Sequence, residues 1–164
     1  MSEHHYIHGY TRQEAQRLYR QAEILAPLLH SDSNFAAGSK ILEAGCGVGA
    51  QTKILATKNP SAEITAVDIS KDSLHLAEAV IRDAKLANVT FLQADLQQLP
   101  FADDSFDVVI ICFVIEHLED PIAILQELKR VLKVGGKLVA MEGDHGSSFF
   151  YPDSLAGQAV MAAQ

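Results

Sequence analysis

The sequence predicts a doubly wound α/β domain, in which a parallel sheet is covered by helices on both faces. Three observations carry this expectation. From residue 40 onward, short apolar strand patterns alternate with helical patterns. The first of those strands, "KILEAG", runs straight into the glycine-rich turn "GCGVG" at 45–49 and then into a helix. A later strand, "FDVVIICFV", is almost wholly apolar, as burial on both faces requires.

The elements follow in order. Thr11 and Glu14 form an S/T-x-x-E capping box. Ala15, Leu18, Tyr19, Ala22, Leu25 and Leu29 then recur at helical spacing, predicting a helix over 11–30. "HSDSNFAAGSK" is small, polar and interrupted by glycine, so it is a loop. "KILEAG" is the first strand, and "AQTKILATKN" is a helix that stops before Pro60. "AEITAVDIS" is the second strand. Ser70 caps "KDSLHLAEAVIRDAKLA", which puts Leu74, Ala77, Ile81 and Ala84 on one face. "VTFLQAD" is the third strand, "LQQLPFADDS" a loop and "FDVVIICFV" the fourth strand. Asp120 caps a helix with Pro121 at its first position, and Gly135-Gly136 is expected to end it. "KLVAMEGD" is the fifth strand, and the tail after Pro152 reads as the start of another helix. Parallel strands joined by helical crossovers place a ligand beyond their carboxyl ends, where strand order reverses. Those ends lie near Gly45, Asp68, Asp95, Cys112 and Glu142.

Bulk properties narrow the function. The chain has 164 residues, enough for one domain with a core and too few for two. With 13 basic and 21 acidic residues the formal net charge is −8, which argues against a nucleic-acid backbone as partner. The basic residues are scattered except in "LKRVLKVGGK", which reads as a solvated helix face and its C-terminus. No apolar run approaches the roughly 20 residues of a membrane span. The N-terminal "MSEHHYIHGYTRQE" has no apolar core, so a cytoplasmic location is expected. Cys46 and Cys112 cannot form a disulfide framework, and His4, His5 and His8 lack a suitably spaced fourth ligand for zinc, so no metal site is expected.

The strand ends hold the chemistry. Gly45, Gly47 and Ala50 fit the pattern G-x-G-x-x-G/A, and a loop of this kind before a helix N-terminus can cradle either a pyrophosphate or a carboxylate. Asp68, 19 positions after Gly49, can accept hydrogen bonds from both ribose hydroxyls. Asp95 can accept from an adenine amino group while Leu96 offers a backbone N–H to a ring nitrogen, and Ile69 and Leu96 can sandwich a base. Asp68 or Asp95 alone is equally well a cap or a turn residue; together with Gly45 at equivalent strand ends they point to an adenosine ligand.

"ILEAGCGVGAQTKILA", "VDIS" and "LQADLQQLPFADDSFDVVIICFVIEHLEDPIAILQELKRVLKVGGKLVAME" closely resemble the class I S-adenosylmethionine-dependent methyltransferases, in the small-molecule branch that includes the ubiquinone and menaquinone biosynthesis enzymes. The resemblance covers about residues 40–143. It implies a Rossmann-like three-layer sandwich with strand order 3-2-1-4-5, S-adenosyl-L-methionine as cofactor and a small-molecule acceptor. It places Glu43, Ala44, Gly45, Cys46 and Gly47 around the methionine end of the cofactor. Asp68 would bind the ribose, Ile69 would pack on the adenine, and Asp95 and Leu96 would read its edge. Cys112-Phe113 would offer a carbonyl to the amino group and wall the sulfonium. Tyr10 would belong to an N-terminal lid over the site. His117, in "IEHLEDP", would face the transfer region and is the leading general-base candidate, with Asp144 and His145 behind it. Each histidine also has a plain reading as a structural hydrogen-bonding residue.

On this reading, 1–164 is a single domain with a lid and helix over 1–39, a cofactor-binding core over 40–143 and a substrate-side segment over 144–164. The family's usual sixth and seventh strands are expected to be missing, leaving the fifth strand as an open edge through which the chain could self-associate. Two rivals stay in view. A cofactor-binding but inactive fragment or module would share every motif. An NAD-dependent oxidoreductase would share the glycine loop, but Glu43 in front of it suits a cationic amino-acid end better than two phosphates.

Overall fold

A computed structural model of the chain describes residues 12–143. Tyr10, Thr11 of the expected capping box, the N-terminal histidines, Asp144, His145 and the segment expected to begin a tail helix lie outside the described residues.

Ten elements follow one another: α1 (Arg12–Leu29), β1 (Lys40–Ala44), α2 (Ala50–Lys58), β2 (Glu63–Asp68), α3 (Lys71–Asp83), β3 (Val89–Gln93), β4 (Phe106–Cys112), a short 3-10 helix (Ile115–His117), α4 (Pro121–Val131) and β5 (Leu132–Met141). The strands form one sheet in the order β3-β2-β1-β4-β5 with every neighbouring pair parallel. This is the doubly wound, Rossmann-like arrangement expected, and strand order reverses between β1 and β4. Both chemically distinctive turns, at 45–49 and 113–117, leave from that junction.

Strand periodicity divides the core into two layers. Leu42, Ala44, Val67, Val109 and Ile111 pack with Ile124, Leu128 and Val131 of α4 on one face. Ile41, Ile64, Val108 and Ile110 pack with Leu55 and Ala56 of α2 on the other. Glu43 has the parity of Ile41, so it lies on the α2 face, opposite Ala66 and Ile110 in register. β4 is buried along nearly its whole length, as its composition requires.

Two of the N-caps read from the sequence are formed. The Ser70 hydroxyl accepts from the Ser73 N–H, and the Asp120 carboxylate accepts from the Ala123 N–H. One boundary needs correction. Gly135-Gly136 does not end α4, which stops at Val131, and β5 begins at Leu132. The cause is pairing. Leu132 joins β4 opposite Phe106, the chain bulges through Lys133–Gly136, and register resumes with Lys137 opposite Val108. Gly135 supplies the left-handed φ of +79° in that bulge, and Val134 at its tip is 95% exposed. Lys133 anchors the bulge to Asp107 at 2.6 Å. Among the described residues β5 pairs with β4 alone and forms one edge of the sheet.

Two fastenings bear on the site. The Tyr19 hydroxyl of α1 donates to the Val48 carbonyl in the glycine turn at 2.7 Å. Arg130 of α4 donates to the carbonyls of Leu99 and Phe101 and to the carboxylates of Glu127 and Asp103, while Glu127 accepts from the Leu99 N–H. The loop that follows β3, carrying Asp95 and Leu96, is thereby tied to α4.

Gly49 has a structural task. It holds φ at +82° as the N-cap of α2, and a Cβ there would lie 2.8 Å from the Ala77 Cβ and 2.9 Å from the Ala77 Cα on α3. We expect Gly49→Ala to destabilise the fold by about 2–5 kcal/mol, combining the left-handed penalty with overpacking. Gly47→Ala, whose Cβ meets nothing within 4 Å, should lose only about 1–2 kcal/mol. Urea denaturation of both variants checks the difference; equal losses would count against the helix contact.

Candidate active site

The site is built where β1 and β4 end. After Ala44 the chain turns on glycines, and the N–H groups of Gly45 and Cys46 both donate to the Val67 carbonyl at 2.9 Å. α2 then starts without a side-chain cap, leaving its N-terminal N–H groups toward the turn. On the β4 side, Phe113 takes φ +55°, a left-handed conformation that costs a non-glycine residue about 1–3 kcal/mol. It reverses the chain into Val114 and the 3-10 helix that carries His117. Val114 packs onto the bare Gly45: a Cβ on Gly45 would lie 2.6 Å from its Cγ2.

Two cavities flank this contact. The larger, about 480 Å³, is lined by Glu43, Gly45, Cys46 and Gly47 on one side and by Cys112, Phe113, Val114 and His117 on the other. The smaller, about 160 Å³, is lined by Asp68, Ile69, Asp95, Leu96 and Leu118, among others. Gly45, Val114 and His117 belong to both. The structure thus gathers nearly all of the expected residues at one place. Ala44 lines neither cavity, its side chain being fully buried in the α4-side core, and Tyr10 lies outside the described residues.

Glu43 dominates the electrostatics. It is 3% exposed, and its Oε2 has no hydrogen-bond partner among the described residues. Burial pushes its pKa from the ordinary 4.5 to about 8, with the nearby Asp68 charge acting in the same direction. The Thr52 hydroxyl of α2 opposes the shift, yet Thr52 Oγ1 is itself without a partner of good geometry. An uncompensated carboxylate is expensive to keep charged in such a place unless a donor arrives. Burial also raises the Cys46 thiol and takes Cys112 up to about 12, so both stay protonated and inert as nucleophiles.

Asp68 has a role the sequence did not display. Its Oδ2 accepts from the Gly47 N–H at 2.7 Å and its Oδ1 from the Ser70 N–H at 2.9 Å. It braces the glycine turn from the end of β2. Burial raises its pKa, and these backbone donors pull the other way. Asp95 Oδ1 accepts from the Gln97 N–H at 2.9 Å, an Asx turn that presents Leu96 and Gln97 to the smaller cavity. Ile69 lines the smaller cavity and is half exposed. His117 Nε2 lies 3.6 Å from Glu116 Oε1, within ion-pair range.

Sequence reasoning missed the wall opposite the glycine turn. Glu14, Arg17, Leu18 and Gln21 of α1 and Gln51 of α2 line the larger cavity. Arg17 holds Glu14 through Nε and Nη2, and Gln21 through Nη1. His30, fully buried, bonds Gln51 Oε1 at 2.7 Å and Ser33 at 3.1 Å. Helical spacing of polar residues on α1 was the available signal, but it is the same for a solvated face.

The residues fit one kind of ligand. An orphaned buried carboxylate asks for a cationic donor, which an amino-acid ammonium supplies. The second cavity combines aliphatic surfaces with three acidic residues, Asp68, Asp95 and Glu119, a lining that offers an adenosine both packing and hydrogen-bond acceptors. A pyrophosphate in the glycine turn would instead stand beside Glu43 and Asp68. Among the described residues, no group of three or more His, Cys, Asp or Glu could hold a metal ion, and no helix is long and apolar enough to cross a membrane.

Comparison with known proteins agrees. A family model described as "Methyltransferase domain" matches residues 42–140, more than half of the chain. The demethylmenaquinone methyltransferase of Bacillus velezensis is 35% identical over 117 residues, covering 71% of this chain and 50% of that protein. The enzyme of the same name from Lactococcus lactis is 37% identical over 119 residues, covering 72% and 47%. The chain thus spans about half the length of the curated relatives it matches. A SAM-dependent methyltransferase from Aquifex aeolicus shares the fold with a TM-score of 0.70 at 19% identity, covering 91% of this chain and 86% of that one. The chain therefore belongs to the methyltransferase domain family, and its fold is that of the S-adenosylmethionine-dependent methyltransferases.

Proposed function

We propose that this domain binds S-adenosylmethionine and directs its methyl group to a small-molecule acceptor, in the cytoplasm. The observation that carries the reading is Glu43, a buried carboxylate without a donor for its Oε2 at the floor of the larger cavity. When bound, S-adenosylmethionine supplies a methyl group on a sulfonium, already activated for displacement. The work of the chain is then binding, alignment and exclusion of water. Glu43 holds the ammonium, and Gly45 and Gly47 admit the amino-acid arm. Asp68 accepts from the ribose with the lone pairs left after its backbone bonds. Asp95, Leu96 and Ile69 hold the base. Phe113 and Val114 close the wall where the two cavities meet. His117 takes a proton from an acceptor that must lose one. The named relatives are demethylmenaquinone methyltransferases, which favours a quinone-type acceptor here, and the net charge of −8 disfavours nucleic acid. The free thiols of Cys46 and Cys112 suit a reducing compartment.

Calorimetry with S-adenosylhomocysteine and with NAD tests the cofactor: micromolar binding of the first and none of the second is expected, and the reverse order would return the glycine turn to a dinucleotide. A methyl-transfer assay over a panel of small phenolic and quinone precursors separates an enzyme from a binding module. With an acceptor in hand, His117→Ala should lower kcat by about 10²–10⁴-fold while leaving cofactor affinity within about threefold. Unchanged turnover would reduce His117 to a structural residue.

Glu43 gives a pH signature. Because its folded pKa of about 8 exceeds the ordinary 4.5, the folded protein keeps the proton between those values. Its contribution to stability is whole below about pH 4.5 and is lost as pH rises toward about 8. The ligand-free protein should therefore lose stability relative to Glu43→Gln over that range, on the order of a few kcal/mol. An arriving ammonium favours the carboxylate, so binding near neutral pH should release a proton. The calorimetric heat should then depend on buffer ionisation enthalpy in the parent protein and not in Glu43→Gln.

A further inference from the structure

We infer that Glu142 is a positioning residue for the wall between the two cavities, acting through Val114. This rests in part on the cofactor reading above. Glu142 follows β5 directly, and its Oε1 accepts from two consecutive backbone N–H groups, those of Val114 and Ile115, each at 3.1 Å. The preceding N–H, of Phe113, donates to the Met141 carbonyl at 2.8 Å. Three successive donors of the turn after β4 are thus held by the last residue of β5 and the residue after it.

The turn so held does not sit there by local preference. Phe113 is at φ +55°, where an L side chain is disfavoured, and the 3-10 helix that follows has no side-chain cap from its own N-cap residue, Val114. A carboxylate bridging two consecutive N–H groups is a charge-assisted arrangement that supplies what the turn lacks. The consequence lies on the other side of Val114, whose methyl groups occupy the space that a Cβ on Gly45 would need. Gly45, Val114 and His117 are the residues shared by both cavities. Glu142 therefore fixes the height of the ridge that a ligand spanning both cavities must cross, without lining either of them itself.

A ligand that crosses the ridge should feel the loss of Glu142 far more than one confined to the smaller cavity, which meets Val114 from one side only. Glu142→Ala is expected to weaken S-adenosylhomocysteine about 10- to 100-fold, with adenosine affinity within about twofold. Glu142→Gln keeps an acceptor oxygen at the same reach and should restore S-adenosylhomocysteine binding to within about threefold. A residue that only stabilised the fold would weaken both ligands together and in proportion to the melting temperature. A second arm needs no ligand. Amide exchange at Val114 and Ile115 should accelerate at least about tenfold in Glu142→Ala relative to the core strands, and return with Gln. If the alanine variant does not fold, Glu142→Asp, one methylene short of the turn, takes its place beside Glu142→Gln. Unchanged exchange at the two amides, or equal behaviour of the short and full-length acceptors, overturns the inference. If the parent protein binds no S-adenosylhomocysteine, the cofactor reading fails, and the exchange arm still decides whether Glu142 positions the ridge.

Discussion

The close approach of backbone to neighbouring elements at the glycine turn is the constraint on which the rest of the structure depends. At Gly45 the missing Cβ lets Val114 reach the end of β1, and at Gly49 it lets α2 lie against Ala77 of α3. The first contact joins the turn to β4 and the second joins it to the α3 layer. Asp68 then binds the Gly47 N–H and fixes the turn to β2. Three separately placed elements therefore meet on five consecutive residues. The cavities are what remains around that junction, and their shapes follow from it.

Glu43 shows how a strand can carry an ionisable side chain inside a core. Its neighbours Leu42 and Ala44 are fully buried against the α4 side, and the alternation of the strand delivers the carboxylate to the opposite face. There it meets Thr52 and no good donor. A stability optimum would place an apolar side chain at this position, in line with Ile41. The conflict between local environment and side-chain chemistry is the mark of a site, since proteins break packing rules where ligands complete them.

Much of this was legible in the sequence because the responsible signals are local. The strand and helix alternation, the caps at Ser70 and Asp120 and the acidic residues at strand ends depend on neighbours in the chain. The start of β5 was not legible. Gly135-Gly136 is a good helix stop, but Leu132 is claimed by pairing with Phe106, a contact 26 residues away in the chain. Ala44 looked like part of the ligand loop because it adjoins Gly45, although strand parity turns it into the core. The polar wall of α1, with Glu14, Arg17 and Gln21, and the reach of Glu142 to Val114 both require knowing which elements meet in space. Composition and spacing carry no record of that.

The bonding of Arg130 bears on how the wall of the smaller cavity is held. One guanidinium, itself held by Glu127 and Asp103, grips two carbonyls of the loop that leads away from Asp95. Ordering a free loop around an incoming ring would set conformational entropy against affinity, at roughly 0.5–1.5 kcal/mol for each immobilised side chain. Here the ordering is completed during folding, by α4, and is independent of any ligand. The wall of the smaller cavity is thus held in place before any ligand arrives.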